Sequence, residues 1–187
     1  LHVQDDPMME LGDMVRETMA KKGVVIIPAF AIERTQTVLY CLYQLQQQKA
    51  ISQIPIYLDS PMAIAVNKLF CNFKDEHKLP NSFCQDVFSI ATYIPTGQES
   101  RSIDYISGPA IIIAGSGMAD GGRVLDHLAH FISNANNTVI FVGFQGDGTN
   151  GKALVEGEKV IKIYGNAYPV DAAIKIIDSF SAHADYD

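Results

Sequence analysis

Four short apolar runs, each followed by a segment with helical periodicity, constrain the fold of this chain more than any other feature. The runs are rich in valine and isoleucine and lie at residues 24–28, 54–59, 109–114 and 138–142. Strands that are buried on both faces are apolar along most of their length, as these runs are. Strands that alternate with helices predict an α/β fold with a doubly wound, mainly parallel sheet and helices on both faces.

The segments between the runs predict helices. Ser60 and Pro61 form a typical helix start, with a serine N-cap and a proline at the first position. Residues 74–108 are polar and contain Pro80, Pro95 and Gly97, so we expect loops and short helices there. Longer helices are expected at residues 7–22, 31–49, 62–73 and 122–132, where apolar residues recur at helical spacing.

The last part of the chain has a different pattern. Residues 159–164 and 170–177 flank Gly165 and Asn166, which predicts a pair of antiparallel strands. The regular alternation of strand and helix ends near residue 156. We therefore expect one domain over residues 1–156 and a return segment over residues 157–187, whose strand pair belongs to a different sheet.

The composition limits the class of protein. The net charge is −7, which argues against nucleic-acid binding by this domain alone unless its basic residues cluster on one face. No apolar run approaches the roughly 18 residues that a membrane span requires. The chain starts without methionine or an apolar leader, and both ends are expected to be boundaries within a longer protein.

The three cysteines do not form a recognisable metal-binding or redox motif. Cys41, Cys71 and Cys84 have no CxxC spacing, and Cys41 lies on an apolar helical face. We expect buried free thiols in a reducing cytoplasm rather than a disulfide or a zinc site.

A glycine-rich turn follows the third apolar run. Ligands of doubly wound sheets bind beyond the carboxyl ends of the strands. Residues 115–122 contain four glycines, which let the backbone approach a ligand closely, and the next helix starts with free N–H groups that suit a phosphate. Ser116 and Arg123 could add contacts. A tight turn without a ligand is the alternative, and neither nucleotide-binding fingerprint is present.

Two charged residues follow the first two runs. Arg34 lies in the first turn of a helix, where its charge opposes the helix dipole and suggests an anionic partner. For Arg34 alone, an ion pair with Glu33 or Asp59 is favoured over a ligand. Asp59 could position Arg34 or a ligand, although a turn-and-cap role is favoured.

Three of the five histidines, His127, His130 and His183, lie in two segments that could have a functional role. Ser181, His183 and Asp185 are candidates for an acid–base or phosphate-contact cluster, although these residues taken alone favour a polar loop. His127 and His130 are three residues apart in a predicted helix and could bind a metal. No carboxylate or cysteine ligand is evident nearby, so a solvated helix face is expected for both.

The strand-end segments, in this order, resemble the β-CASP nucleases of the metallo-β-lactamase superfamily. This family includes the endonuclease subunit of the cleavage and polyadenylation specificity factor and its bacterial and archaeal relatives. Each motif alone is weak, but five in the same order and spacing are specific, and they cover nearly the whole chain. They are Val25–Ala31 with Arg34-Thr35-Gln36, Tyr57–Ala63, Ala114–Arg123, Asn137–Gly143 with Gly148-Thr149, and Phe180–Asp185.

The resemblance implies an RNA-specificity domain that covers a site with two zinc ions, with RNA passing between the two domains. His183 would be the general acid that protonates the leaving 3′-oxygen. Asp59 and Asp185 would support the site. The implied RNA phosphate contacts are Arg34, Ser116, Gly117, Met118, Arg123 and Ser181. Glu33 departs from the small residue, often glycine, that is usual at its position, and it places a negative charge near this path.

The family's main zinc motif, HxHxDH, does not occur in this sequence. We therefore expect the metal ligands to lie in the metallo-β-lactamase domain of the same protein, and this chain alone to be inactive. A homodimer is possible. The alternatives are a β-CASP nuclease that acts on DNA, a non-catalytic subunit, and a phosphate- or nucleotide-binding module.

Overall fold

The computed structural model of this chain describes residues 6–73 and 82–177. Its helices are α1 (Pro7–Ala20), α2 (Arg34–Gln47), α3 (Pro61–Asn72), α4 (Phe83–Phe88), α5 (Gly97–Ile103), α6 (Val124–Phe131) and α7 (Asn150–Val155). Its strands are β1 (Val24–Pro28), β2 (Ile56–Asp59), β3 (Thr92–Tyr93), β4 (Ala110–Ala114), β5 (Thr138–Phe141), β6 (Val160–Ile163), β7 (Asn166–Pro169) and β8 (Ala173–Ile176).

The helix starts follow the capping signals of the sequence. The Ser60 Oγ accepts a hydrogen bond from the Ala63 N–H at 3.3 Å, and Pro61 occupies the first helical position of α3. Thr96 and Glu99 form a reciprocal capping box that starts α5. The predicted cap of α3 is confirmed, and the described part of the polar region 74–108 contains the expected short helices, α4 and α5.

The main sheet has six parallel strands in the order β3-β2-β4-β1-β5-β8. The four predicted strands form its centre, where β1 pairs with β4 over its entire length, from Val24 opposite Ala110 to Pro28 opposite Ala114. The predicted doubly wound α/β architecture is confirmed.

Helices cover both faces of the sheet. Val25 and Ile27 of β1 pack in a core with residues of α1 to α4, whereas Val24 and Ile26 pack in a second core with residues of α5 to α7. Alternate residues of one strand point to opposite faces, so a strand between two cores is apolar throughout. The helix after β4 lies on the opposite face from the helices after its neighbours β1 and β2. This topology leaves a crevice at the carboxyl end of β4.

The C-terminal strands differ from the predicted pair. The antiparallel pair exists, but β6 pairs with β7 over Val160–Pro169, and β8 instead joins the main sheet parallel to β5. Tyr164 and Gly165 have φ values of 50° and 82°, which suit a two-residue hairpin turn. This turn pairs β6 with the residues that directly follow it, Asn166–Pro169. Strand β8 is not part of this hairpin and lies at the edge of the main sheet. A domain boundary at residue 156 stays a prediction.

The cysteine prediction is wrong in part. Cys71 and Cys84 form a disulfide between the end of α3 and the start of α4, with their Cα atoms 5.7 Å apart. Neither residue type nor spacing signalled this pairing, because packing of the two helices brings the residues together. Cys41 is a buried free thiol, as predicted. Within residues 6–73 and 82–177, no helix is long and apolar enough to cross a membrane.

Candidate functional site

The carboxyl ends of β1 and β4 meet at the crevice, where the Ala29 N–H donates to the Ala114 carbonyl at 2.9 Å. The glycine-rich turn over residues 115–122 starts there. A Cβ atom on Gly117 would lie within 3.0 Å of the Phe30 ring, and one on Gly122, whose φ is +70°, would lie 2.6 Å from the Gly115 carbonyl oxygen. Both glycines are therefore required by close contacts within the protein.

Hydrogen bonds tie the glycine-rich turn to the start of α7. The Gly151 N–H donates to the Met118 carbonyl at 2.9 Å, and the Asn150 N–H donates to Asp120 Oδ1 at 2.9 Å. The Ser116 Oγ accepts from the Asp120 N–H at 3.2 Å, which leaves its hydroxyl proton available to a ligand. The turn is held rigidly at the sheet edge, with Ser116, Gly117 and Met118 beside the crevice.

Arg34 lies beside this turn, and residues 6–73 and 82–177 supply no charged partner for it. Neither of the ion pairs considered for it, with Glu33 or with Asp59, occurs in the described part of the chain. Its Nε is buried and has no hydrogen-bond partner there. We define the Arg34 crevice as the cavity of about 340 Å³ lined by Phe30, Ile32, Glu33, Arg34, Met118, Gly143 and Phe144.

A strained turn places Arg34 at the start of α2. The Arg34 N–H donates to the Ile32 carbonyl at 2.8 Å and closes a γ-turn centred on Glu33, whose φ is 68° and ψ −58°. This region of φ favours glycine, which has no Cβ. The γ-turn therefore supplies a physical reason why a glycine suits this position and why Glu33 does not.

Asp59 does not have the turn-and-cap role that the sequence favoured. It is fully buried at the end of β2, and its carboxylate accepts hydrogen bonds from the Ser100 hydroxyl, the Arg123 guanidinium and the His127 ring. These residues, together with Asp104, form what we call the Asp59 network. Burial by itself raises the pKa of Asp59, but the hydrogen bonds from His127, Ser100 and Arg123 outweigh it and hold the pKa below its ordinary value.

Arg123 is largely engaged within the protein. Its Nη1 donates to Asp59 and to the Ile94 carbonyl, the latter at 2.8 Å, and its Nη2 donates to the Pro95 carbonyl at 3.1 Å. About one-fifth of the side chain is exposed. Its Nε and one hydrogen of Nη2 remain for a ligand, so Arg123 contributes less free charge to the crevice than Arg34.

The prediction of a solvated face is wrong for His127. Its side chain is fully buried, with Nε2 2.8 Å from Asp59 Oδ2 and Nδ1 2.8 Å from Asp104 Oδ1. Both contacts are satisfied when both ring nitrogens carry a proton. His130 is 45% exposed, as predicted, and lies 3.8 Å from Asp104 Oδ2.

Helical spacing could have indicated the burial of His127, because this residue shares a face with the buried Val124 and Phe131. Ser100 and Asp104 gave no comparable signal. They lie in the polar region for which only loops and short helices were predicted, and packing of α5 against α6 brings them to the network.

Three of the predicted site residues, Ser181, His183 and Asp185, lie outside the described residues. In the described part, no three His, Cys, Asp or Glu side chains form a group that could hold a metal ion. The residues that the structure brings together at the carboxyl edge are Arg34, Ser116, Gly117 and Met118, with Arg123 and Asp59 in the adjoining network.

Known proteins resemble this chain along almost all of its length. Ribonuclease TTHA0252 from Thermus thermophilus is 33% identical over 97% of this chain and 43% of its own length. RNase J-like protein from Methanocaldococcus jannaschii is 32% identical, over 95% and 41%. Transcription termination factor FttA from Methanosarcina mazei is 30% identical, over 96% and 30%. The chain thus spans less than half the length of these curated relatives.

A family match covers four of the six strands of the main sheet and starts one residue after Arg34. Residues 35–154, which extend from α2 to α7, match the Beta-Casp domain. This range includes the glycine-rich turn, the Asp59 network and most of the parallel sheet. The resemblance noted in the strand-end motifs is therefore confirmed, and the chain belongs to the Beta-Casp domain family.

Proposed function

We propose that this chain is the RNA-binding specificity domain of a zinc-dependent ribonuclease that hydrolyses RNA phosphodiester bonds. The observation that carries the proposal is the Arg34 guanidinium beside the glycine-rich turn, which has no charged partner among the described residues and lies at the sheet edge where ligands of such folds bind. The family membership and the ribonuclease names of two relatives support the same reading.

Local electrostatics support a phosphate ligand despite the net charge of −7. Within the described residues Arg34 has no carboxylate partner, whereas Arg123 is paired with Asp59. A guanidinium whose Nε is shielded from water gains a charge-assisted hydrogen bond when a phosphate oxygen reaches it. The Ser116 hydroxyl can donate a second hydrogen bond from the adjoining turn.

His183 is proposed as the general acid, following the family resemblance. An imidazole that titrates near neutrality can protonate a leaving 3′-oxygen, and this contribution is typically about 10²- to 10⁴-fold in rate. Ser181 and Asp185 would support it.

We propose zinc only for a polypeptide that includes this chain and has the length of its relatives. The described residues offer no group of ligands that fits the metal, so no step is assigned to it here. The rest of such a polypeptide, a metallo-β-lactamase domain by resemblance, would hold it. This chain alone is expected to cleave no RNA with zinc present.

RNA binding is tested by fluorescence anisotropy with a labelled 12-nucleotide single-stranded RNA at low salt, with a matched DNA strand and a mononucleotide competitor. Arg34→Gln is expected to raise the Kd. It is also expected to lower the slope of log Kd against log salt concentration by about one, because one phosphate contact is lost. Arg16→Gln, on α1, is the control and is expected to bind normally. No saturable RNA binding, or equal competition by the mononucleotide, would overturn the proposal, and preference for the DNA strand would move it to a DNA nuclease.

Catalysis is tested in a polypeptide that includes this chain and has the length of its relatives. His183→Ala is expected to lower kcat by about 10²- to 10⁴-fold while RNA binding is unchanged. A normal cleavage rate in that variant would exclude His183 as the proton donor, and absence of any cleavage by the unaltered protein would indicate a non-catalytic subunit.

A further inference from the structure

The carboxyl edge of the sheet carries large apolar side chains that are exposed to solvent. Phe30 is 43% exposed, Ile32 67%, Met62 65% and Phe144 69%. Each follows the end of β1, β2 or β5 by two to four residues. Single exposed apolar residues are ordinary, but several at one functional edge indicate a binding surface.

Two of these residues are aromatic walls of the Arg34 crevice. Three atoms of the Phe30 ring lie within 3.0 Å of the position that a Cβ on Gly117 would occupy, so the ring rests on the backbone of the glycine-rich turn. Phe144 lies in the segment after β5, and its ring approaches Gly146. The crevice thus combines aromatic walls with the Arg34 cation.

This combination has a specific chemistry. Aromatic rings offer a flat apolar surface on which a nucleobase can stack, and this stacking tolerates any base because every base has a π-face. Bases of a duplex are already stacked on one another, so only a single strand can present one to a protein ring. A free phosphate would use Arg34 but would gain nothing from the rings.

We propose that the Arg34 crevice, which Phe30 also lines, binds a nucleobase of single-stranded RNA by stacking on Phe144, with an adjoining phosphate on Arg34. The inference rests on the proposed RNA-binding function and adds the substrate class and the residues that select it. A cavity of about 340 Å³ lies within the range of small-ligand sites, roughly 300–1,000 Å³.

The test compares three ligands and four variants in the anisotropy assay, and one of the variants is Arg34→Gln. The ligands are a single-stranded 12-nucleotide RNA, the same RNA as a duplex, and an abasic strand with the same number of phosphates. Phe144→Leu removes the ring and keeps an apolar side chain, whereas Phe144→Tyr keeps a ring. Phe73→Leu makes the same change at a residue that is 57% exposed at the far end of α3.

Phe144→Leu is expected to weaken binding of the single-stranded RNA about tenfold and to leave the abasic strand unaffected. Phe73→Leu is expected to bind as the unaltered chain does. Phe144→Tyr is expected to retain most of the affinity that Phe144→Leu loses, because it keeps a ring, and the duplex is expected to bind weakly to all of them. Arg34→Gln is expected to weaken binding of the abasic strand and of the RNA equally, because Arg34 contacts a phosphate, which both ligands carry.

The outcomes separate this inference from the proposed function. If the unaltered chain binds no RNA, both fail. If it binds RNA and Phe144→Leu does not change the Kd, RNA binding stands and base stacking is overturned, which would assign the exposed aromatic edge to contact with another protein surface. An equal loss for the abasic strand would also overturn stacking. Unchanged urea midpoints for the Phe144 variants confirm that the chain remains folded.

Discussion

The His127 ring lies 2.8 Å from the Asp59 carboxylate, from Nε2 to Oδ2, and neither side chain has any exposed surface. This contact joins α6 to the end of β2. Arg123 binds the other oxygen of Asp59 from the end of the glycine-rich turn. The network therefore links the turn that faces the Arg34 crevice to the buried core of the sheet.

His127→Ala is expected to destabilise the chain by about 3–5 kcal/mol, because it leaves the Asp59 and Asp104 carboxylates buried with fewer partners. His130→Ala, in the same helix, removes a partly exposed ring and is expected to cost less than about 1 kcal/mol. Urea unfolding monitored by circular dichroism measures both. Similar losses in the two variants would contradict the assigned role of the network.

The Asp59 network is expected to make stability depend on acidic pH. The pKa of Asp59 in the folded state is below its ordinary value of about 3.9, which it has in the unfolded chain. The ionised carboxylate therefore contributes its full stabilisation of the fold above about pH 3.9, and this contribution is lost as the pH falls through the folded-state pKa. The difference in unfolding free energy between the unaltered chain and Asp59→Asn is expected to be constant above about pH 5 and to shrink towards pH 3. The fully exposed Asp147 supplies the control, since Asp147→Asn should show no such trend.

Glu33→Gly is expected to raise the free energy of unfolding by about 1 kcal/mol, because it relieves a side chain from the strained γ-turn. Glu33→Gln keeps the strain and is expected to change stability by less than about 0.5 kcal/mol. Both variants remove a negative charge from the Arg34 crevice and should tighten RNA binding up to about fivefold at low salt. A stability gain in both variants would show that the strain is not the cause.

Adjacent glycines in the turn provide a matched comparison. Gly122→Ala is expected to cost about 2 kcal/mol or more, because φ is +70° and the new Cβ would lie 2.6 Å from the Gly115 carbonyl oxygen. A Cβ on Gly121 meets nothing within 4 Å, so Gly121→Ala should be nearly neutral. Thermal unfolding of the two variants distinguishes them, and equal midpoints would contradict the described turn.

The cysteines are expected to give one free thiol in the unfolded, unreduced chain and three after reduction. Cys71 and Cys84 are joined, and Cys41 is free. In the folded chain, burial and, secondarily, Asp6 raise the pKa of the Cys41 thiol to about 11, so it should react slowly at neutral pH. Thiol titration before and after unfolding checks both statements, and three free thiols without reductant would exclude the disulfide.

The central strands and the helix after Ser60 were predictable from the sequence by itself, because both depend on local chemistry. A strand between two cores must be apolar on both faces, which leaves a continuous apolar run such as Val24–Pro28. The helix start at Ser60 and Pro61 depends on residues that are adjacent in the chain. The candidate turn at residues 115–122 was found for the same reason.

Only the tertiary structure decided which residues meet. His127 is 68 residues from Asp59 and 23 from Asp104 in the sequence, and no local pattern records such partners. Crossovers of the parallel sheet bring β2, α5 and α6 together. His127, which was expected in solvent, is therefore buried and contacts Asp59 and Asp104. Phe30 and Phe144 likewise share one crevice because β1 and β5 are neighbouring strands. The sequence by itself determined the elements, whereas the order of strands in the sheet determined the site.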